Sequence, residues 1–174
     1  MYKLKKEIRL MSENLLILGA GQYGMLVREV AMSTGKFDNI AFLDDESSIA
    51  VGRIDDYKDF VSKCRYAFVA IGNSAVRSKL LSMLESAGFE LAVIVSPFAY
   101  VSASAQIGGG SIVEPMAVVN TGVTLGKGSL VCAGAVVNHN AVVEDCCQID
   151  CNAVVSARGN VPAGTKVESG CVYK

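Results

Sequence analysis

The sequence of 174 residues has no tryptophan, a single histidine and little charge. Asp, Glu, Lys and Arg make up 19% of it against a hydrophobic share of 51%, one low and the other high for a soluble domain. Membrane insertion would account for that balance, but no run reaches the roughly 18 apolar residues a spanning helix needs. The longest clean run, 15–20, is far shorter. With 16 basic and 17 acidic residues there is no positive field to hold a phosphate backbone, which argues against nucleic-acid binding. The cysteines, Cys64, Cys132, Cys146, Cys147, Cys151 and Cys171, show no C-x-x-C spacing and two are adjacent. That pattern suits neither a disulfide framework nor a zinc site, so no metal is expected. They read as small hydrophobes in a reduced, cytoplasmic chain. One histidine per chain also cannot supply a zinc held by three, even between neighbouring chains.

The first twelve residues, MYKLKKEIRLMS, are basic like the start of a secretory leader, but Ser12, Glu13 and Asn14 interrupt before an apolar segment forms. Met11 is an alternative start to Met1, because a strand-like run opens just after it. Residues 1–13 are therefore set apart as an N-terminal extension.

Charge is distributed unevenly. Residues 1–95 carry 24 of the 33 charged residues and residues 96–174 carry nine, a shift that marks a domain boundary near Ser96-Pro97. The second half repeats every six residues. Val95, Val101, Ile107, Val113, Val119, Leu125, Val131, Val137, Val143, Ile149, Val155, Val161 and Val167 are aliphatic without a skip, and Tyr173 takes the next place. Four residues after each comes a mostly small residue, such as Ala99, Ser111, Ala135, Ala141 or Ala153. Such a hexad is a solenoid signal, in which each unit buries its face only by stacking on its neighbours. One aliphatic points inward, the small residue eases the corner, and three hexads close one triangular coil. An ordinary β-sandwich would need period-two alternation instead.

The first half, 14–95, reads as a Rossmann-like α/β unit. Strands are expected over 14–18, 40–43, 67–71 and 91–95, with helices over 23–34 and 75–87 that end at Gly35 and Gly88. The motif GAGQYG at 19–24 follows a strand and opens a helix, the order a phosphate-binding G-x-G-x-x-G turn requires. Gly19 and Gly21 would let backbone amides approach a pyrophosphate at the helix N-terminus. The acidic pair Asp44-Asp45 at the end of the second strand would suit a ribose or a base edge. Gly72 and Asn73 stand on the same rim, with Arg77 one turn on; Asn73 as a helix cap and Arg77 as a solvated residue are the plainer readings. NAD is one candidate ligand and would make the chain an oxidoreductase. At about 80 residues the domain is half a dinucleotide fold, and a single nucleotide fits its size better.

His139 lies in VVNHN, two places after an inward aliphatic, so it projects outward from the coil. Transfer of an acyl group from a thioester to an amine needs that amine deprotonated, and imidazole is the side chain suited to it near neutral pH.

The order GAGQYG, FLDD, AIGNSAVR and then hexads with NTG and VVNH resembles the bacterial sugar O- and N-acyltransferases of the sialic acid and bacillosamine type, over residues 14–174. These are hexapeptide-repeat transferases whose second domain is a left-handed parallel β-helix. The resemblance implies an acetyl-CoA-dependent acyltransferase that holds a UDP-linked or similar amino sugar on its first domain and acetyl-CoA along the β-helix. It also implies a homotrimer with the site between protomers. Carried over, Gly19, Gly21, Gln22, Tyr23, Asp44, Asp45, Gly72, Asn73 and Arg77 would surround the nucleotide sugar, and His139 would be the general base. Three departures are visible. Asn140 stands where the family has an acidic residue to polarise the histidine, and an amide holds a ring without stabilising an imidazolium. Gln148 replaces a second histidine beside the thioester, and the Ala157 amide is one coil beyond His139 for an oxyanion. With the chain ending at Lys174 the pantetheine groove is expected to be short, leaving Arg158, Lys166 and Lys174 for CoA phosphates. The alternative is a nucleotide-sugar-binding or scaffold module with a degenerate transferase site.

Overall fold

In the computed structural model, which describes residues 13–174, strand β1 (Leu15–Leu18) is buried along its whole length, as a strand covered on both faces must be. The basic residues 1–12, with the alternative starts Met1 and Met11, lie outside the described residues. Helix α1 (Gln22–Ser33), strand β2 (Ile40–Leu43), strand β3 (Tyr66–Val69), helix α2 (Ser74–Ala87) and strand β4 (Glu90–Leu91) complete the first domain. A 3-10 helix, Ile54–Phe60, sits where the sequence signalled no element. The sheet is parallel with order β2-β1-β3-β4. Strand order therefore reverses between β1 and β3, and the crevice at their carboxyl ends is where open sheets of this kind take ligands.

The strand expected over 91–95 splits. Glu90–Leu91 pairs with β3, whereas Ile94–Val95 pairs with Ile112–Val113 and begins the solenoid. Ala92 already accepts from the Gly110 amide, so the domains meet at 92–93 rather than after Val95. Fourteen two-residue strands then run from β5 (Ile94–Val95) to β18 (Val172–Tyr173) and stack in parallel ladders, each residue on one 18 places away. The result is a left-handed parallel β-helix with three faces. The second residue of each strand points inward, and Val113, Val119, Val131, Val137, Val143 and Val155 are all at 0% exposure. Burying one such side chain contributes about 1.5–3 kcal/mol.

The corners turn by a rule that the hexad of small residues only half describes. The residue three places after each inward aliphatic is left-handed at eleven successive corners, from Gly110 (φ 73) through Asn140 (φ 58) to Gly170 (φ 70). Glycine and asparagine suit that region; Met116, Cys146 and Arg158 hold it at some strain. The small residue that follows, such as Ala135 or Ala141, fills the interior instead.

The three faces meet different surroundings. On face I the outward residues Ile94, Ile112 and Leu130 are buried against α1 and the sheet. Helix α2 lies along the corner between faces III and I, where Leu81 packs on Gly110 and Gly128 and Ser74 stands beside Gly164. The outward residues of face II are Tyr100, Val118, Val136, Val154 and Val172, an apolar stripe that no helix or sheet among the described residues covers. Face III presents Gln106, Thr124, Val142 and Asn160.

Candidate active site

The rim of the sheet is built by two glycine turns. Gly19 is fixed by the fold, since its φ is +102 and a Cβ there would stand 2.8 Å from the Ala70 carbonyl oxygen. Gly24 is equally constrained, because a Cβ would collide with the Gly19 carbonyl. Gly21 and Gly72 are different: a Cβ on either meets nothing within 4 Å. They end β1 and β3 at the crevice, and their missing side chains leave room for something from outside.

Asp44 closes over the first turn. Its Oδ2 accepts from the Ala20 amide at 2.7 Å, and Oδ1 accepts from Glu46 and Ser47, both at 2.9 Å. The Ala20 and Glu46 amides hold its carboxyl below the usual range. For a pyrophosphate cradled by the loop this leaves the Gly21 and Gln22 amides, which have no partner among the described residues. One loop amide is already used, and a charged carboxylate stands beside it. Asp45 is exposed and accepts from the Ile54 amide at 3.2 Å, with Arg53 at 3.5 Å.

Gln22 lies exposed on the rim, but Tyr23 turns its hydroxyl down toward Glu114 of the solenoid. Among the described residues Tyr23 Oη and Glu114 Oε1 are buried without a hydrogen-bond partner, while Glu114 Oε2 accepts from the Ala133 amide at 3.0 Å. Burial raises both groups above their ordinary values, and the Glu114 charge adds to the rise at Tyr23. Asn73 is the N-cap of α2, its Oδ1 accepting from Val76 at 3.0 Å.

Arg77 is not on the rim at all. It has 0% exposure. Nη1 donates to the Ile71 and Gly72 carbonyls at 2.8 Å each, Nε to Gly128 at 2.9 Å and Nη2 to Cys146 at 2.6 Å. Burial lowers its pKa, and carbonyl oxygens on all sides replace the water it has lost. Direct contact with a sugar nucleotide is excluded by that enclosure.

His139 sits on the corner between faces II and III, exposed. Its Nδ1 is 3.3 Å from Asn140 Nδ2. Asn140 thus does two jobs, holding the left-handed turn and touching the ring. With its amide turned over, Oδ1 would accept from Nδ1–H and leave Nε2 unprotonated; which way an amide points is set by its network. In the next coil the Ala157 amide has no hydrogen-bond partner among the described residues, and Arg158 donates its amide to the His139 carbonyl at 3.1 Å. The Arg158 side chain is exposed and makes no ion pair there.

Within one chain, Ala157 and Arg158 therefore gather with His139, whereas the other two residues assigned to CoA stand on another face. Gln148 and Lys166 are outward on face I, beyond the cover of α1 and on the side of the rim; Gln148 Nε2 is 4.0 Å from Cys132 Sγ. Lys166 Nζ pairs with Glu168 at 2.7 Å and Asp150 at 3.2 Å. Among the described residues no group of His, Cys, Asp and Glu is arranged to hold a metal ion, and no helix is long and apolar enough to cross a membrane.

Sequence reasoning missed the left-handed column, whose signal was present in glycine and asparagine recurring every six residues. It also missed a set of carboxylates that cap corner amides. Glu114 caps Ala133 and Glu144 caps Ala163, each 19 residues on, and Asp145 caps Lys127 at 2.7 Å.

Comparison with known proteins agrees with this architecture. The family profile of the PglD N-terminal domain matches residues 14–84. The acetyltransferase domain of PglB from Neisseria gonorrhoeae FA1090 is 30% identical with a TM-score of 0.89, over 92% of this chain and 82% of that one. The same domain in complex with acetyl coenzyme A matches with a TM-score of 0.88. A perosamine N-acetyltransferase variant from Caulobacter crescentus, in complex with CoA and GDP-perosamine, is 21% identical with a TM-score of 0.64, over 91% and 90% of the two chains. WeeI from Acinetobacter baumannii AYE is 24% identical with a TM-score of 0.63, over 91% and 87%. The last two bear on the fold alone.

Proposed function

Since the chain belongs to the hexapeptide-repeat sugar acetyltransferases, we propose that it moves the acetyl group of acetyl-CoA to an amine or hydroxyl of a nucleotide-activated sugar, with His139 as general base. The bound acetyl coenzyme A of the PglB domain supports the donor. A UDP-linked amino sugar is the acceptor to test first. One observation carries the reading. At the His139 corner the positions that hold capping carboxylates elsewhere are Asn120, Asn138 and Ser156, the Ala157 amide is left without a partner among the described residues, and Arg158 is the cation beside it. A developing oxyanion and CoA phosphates both favour such a place.

In the proposed step His139 Nε2 takes the proton of the attacking amine or hydroxyl as it adds to the thioester carbonyl. Asn140 Oδ1 holds Nδ1–H, and the Ala157 amide donates to the oxyanion. The sulfur then leaves as CoA, the proton returns to it, and the acetylated sugar departs. Within one chain the rim lies against face I while His139 is on the corner between faces II and III, so the histidine serves a sugar held by another copy. The uncovered apolar stripe of face II, ending beside that corner, supports a homotrimer. Free cysteines throughout support a reducing, cytoplasmic setting.

Thermal-shift titration tests both ligands, since anything that binds only the folded state raises the melting temperature. Acetyl-CoA and the UDP-amino sugar should each stabilise the protein. A response to the sugar alone favours the second reading, a binding module with a degenerate site, which the Asn140 amide facing Nδ1 through its nitrogen would suit. His139→Ala should lower kcat by about 10²–10⁴-fold while sugar binding stays intact; unchanged kcat would sink the assignment.

A further inference from the structure

The fully buried guanidinium of Arg77 has four backbone carbonyls around it and, among the described residues, no carboxylate partner. Two of those carbonyls, Ile71 and Gly72, are consecutive and belong to the turn that ends β3 at the crevice. A trans peptide points its N–H away from its C=O, and the described peptides include no cis bond. Drawing the Ile71 and Gly72 oxygens inward therefore turns the Gly72 and Asn73 amides outward, to the open side of the rim. Neither amide has a hydrogen-bond partner among the described residues. The absent Gly72 side chain leaves them uncovered. The other two carbonyls, Gly128 and Cys146, lie on the solenoid corner, so the same side chain also fixes this turn relative to the coil two residues before Gln148.

The first glycine turn is spoken for in a different way. Asp44 occupies the Ala20 amide and places a negative charge there, which repels phosphate. The two turns of the crevice thus differ in charge: both leave amides unpartnered among the described residues, but a carboxylate stands beside the first and an enclosed guanidinium behind the second.

We propose that Arg77 is a positioning residue for the acceptor: it never touches the sugar nucleotide, but aims the Gly72 and Asn73 amides at the oxygens of its diphosphate. This rests on the rim being the nucleotide-sugar site. A nucleotide bound here has its diphosphate over the β3 turn and its hydrogen-bond donors toward Asp44, the reverse of a ligand cradled by the GAGQYG loop.

The test begins with the unmodified protein, titrated with UDP-amino sugar and with acetyl-CoA. No response to the sugar nucleotide overturns the reading of the rim itself. Given a response, Arg77→Lys keeps the charge but loses the fork that reaches all four carbonyls. The KM for the sugar nucleotide should rise about tenfold, as for one lost hydrogen bond to a charged oxygen, with kcat and the KM for acetyl-CoA within about twofold. Equal changes in both KM values, or a lower melting temperature with neither changed, make Arg77 merely structural and overturn the proposal. A measurement on the unmodified protein covers a variant that fails to fold. UDP should shift the Gly72 and Asn73 amide resonances and uridine should leave them nearly in place; amides indifferent to UDP overturn it equally.

Discussion

At the corner that holds His139 and at the corner that carries α2, the chain turns through one conformation. Asn140 and Cys146 have φ of 58 and 57, and each is followed by a fully buried small residue, Ala141 or Cys147. The two residues before the turn differ. Beside α2 they are Glu144 and Asp145, which cap the Ala163 and Lys127 amides, and Lys127 in turn pairs with Glu85 of α2 at 2.7 Å. At the other corner they are Asn138 and His139. Asn138 Oδ1 accepts from the Asn120 side chain, at 3.3 Å, and the Ala157 amide above goes uncapped among the described residues. The inward aliphatic and the left-handed residue set the fold, so the pair between them is free to close the corner or to leave it open for chemistry.

Making the open corner resemble the closed one should have the largest effect. Glu144 and Glu114 both cap the amide 19 residues on, and Ala157 stands 19 residues after Asn138. Asn138→Glu is therefore expected to cap Ala157 with a carboxylate. Loss of one oxyanion donor lowers kcat by about 10²–10³-fold. A cap gained at the same time should leave the melting temperature equal or slightly higher. Activity and stability moving in opposite directions is the signature to look for; a variant as active as its parent would remove Ala157 from the mechanism.

The next effect sharpens what Asn140 contributes. Asn140→Asp keeps a residue tolerant of the left-handed turn and replaces a neutral partner of Nδ1 by a charged one. Charge-assisted hydrogen bonds are about twice as strong as neutral ones, a difference near 1.4 kcal/mol, or about tenfold in rate. kcat should rise by about that factor with KM for either substrate little changed. Asn140→Gly, which retains the turn and abandons the ring, should lower kcat and leave the melting temperature alone.

How much of this was legible follows from what each feature depends on. The inward aliphatics repeat without a break, so the β-helix could be read directly from Val95 onward, and G-x-G-x-x-G between an apolar run and a helical one disclosed the first domain. Burial was harder. Nothing in AIGNSAVR distinguishes an Arg77 that meets a ligand from one enclosed by carbonyls of Gly128 and Cys146, because those partners are 51 and 69 residues away. The backbone bonds of Asp44 were equally hidden, since the Ala20 amide it accepts from lies 24 residues back. Gln148 was assigned to the thioester by the resemblance and Lys166 as one of the few cations near the end of the sequence; that both stand on a different face from Ala157 and Arg158 of the same chain follows from the six-residue step.

The two faces give a third comparison, between two cations. Arg158 at the open corner makes no ion pair among the described residues, whereas Lys166 is held by Glu168 and Asp150. Arg158→Gln should raise the KM for acetyl-CoA about fivefold, as for one lost surface contact with a phosphate. The rise should shrink with added salt, which screens exposed charge. Lys166→Ala should leave that KM unchanged. Equal effects at both positions would place the CoA phosphates elsewhere.

The smallest effect is expected where the closed corner is opened. Glu144→Gln keeps an oxygen that accepts from the Ala163 amide and removes only the charge. Glu144 and Ala163 are both exposed, so water replaces whatever the bond loses, and the cost should be no more than about 0.5–1 kcal/mol. Urea titration reads this as a slightly lower midpoint at constant slope. kcat and both KM values should not move, because the corner beneath α2 has no histidine and no unpaired cation to serve a reaction. A kinetic defect here larger than that of Arg158→Gln would mean that the carboxylate corner takes part in binding, and that the division of labour between two turns of identical backbone is not the one their side chains suggest.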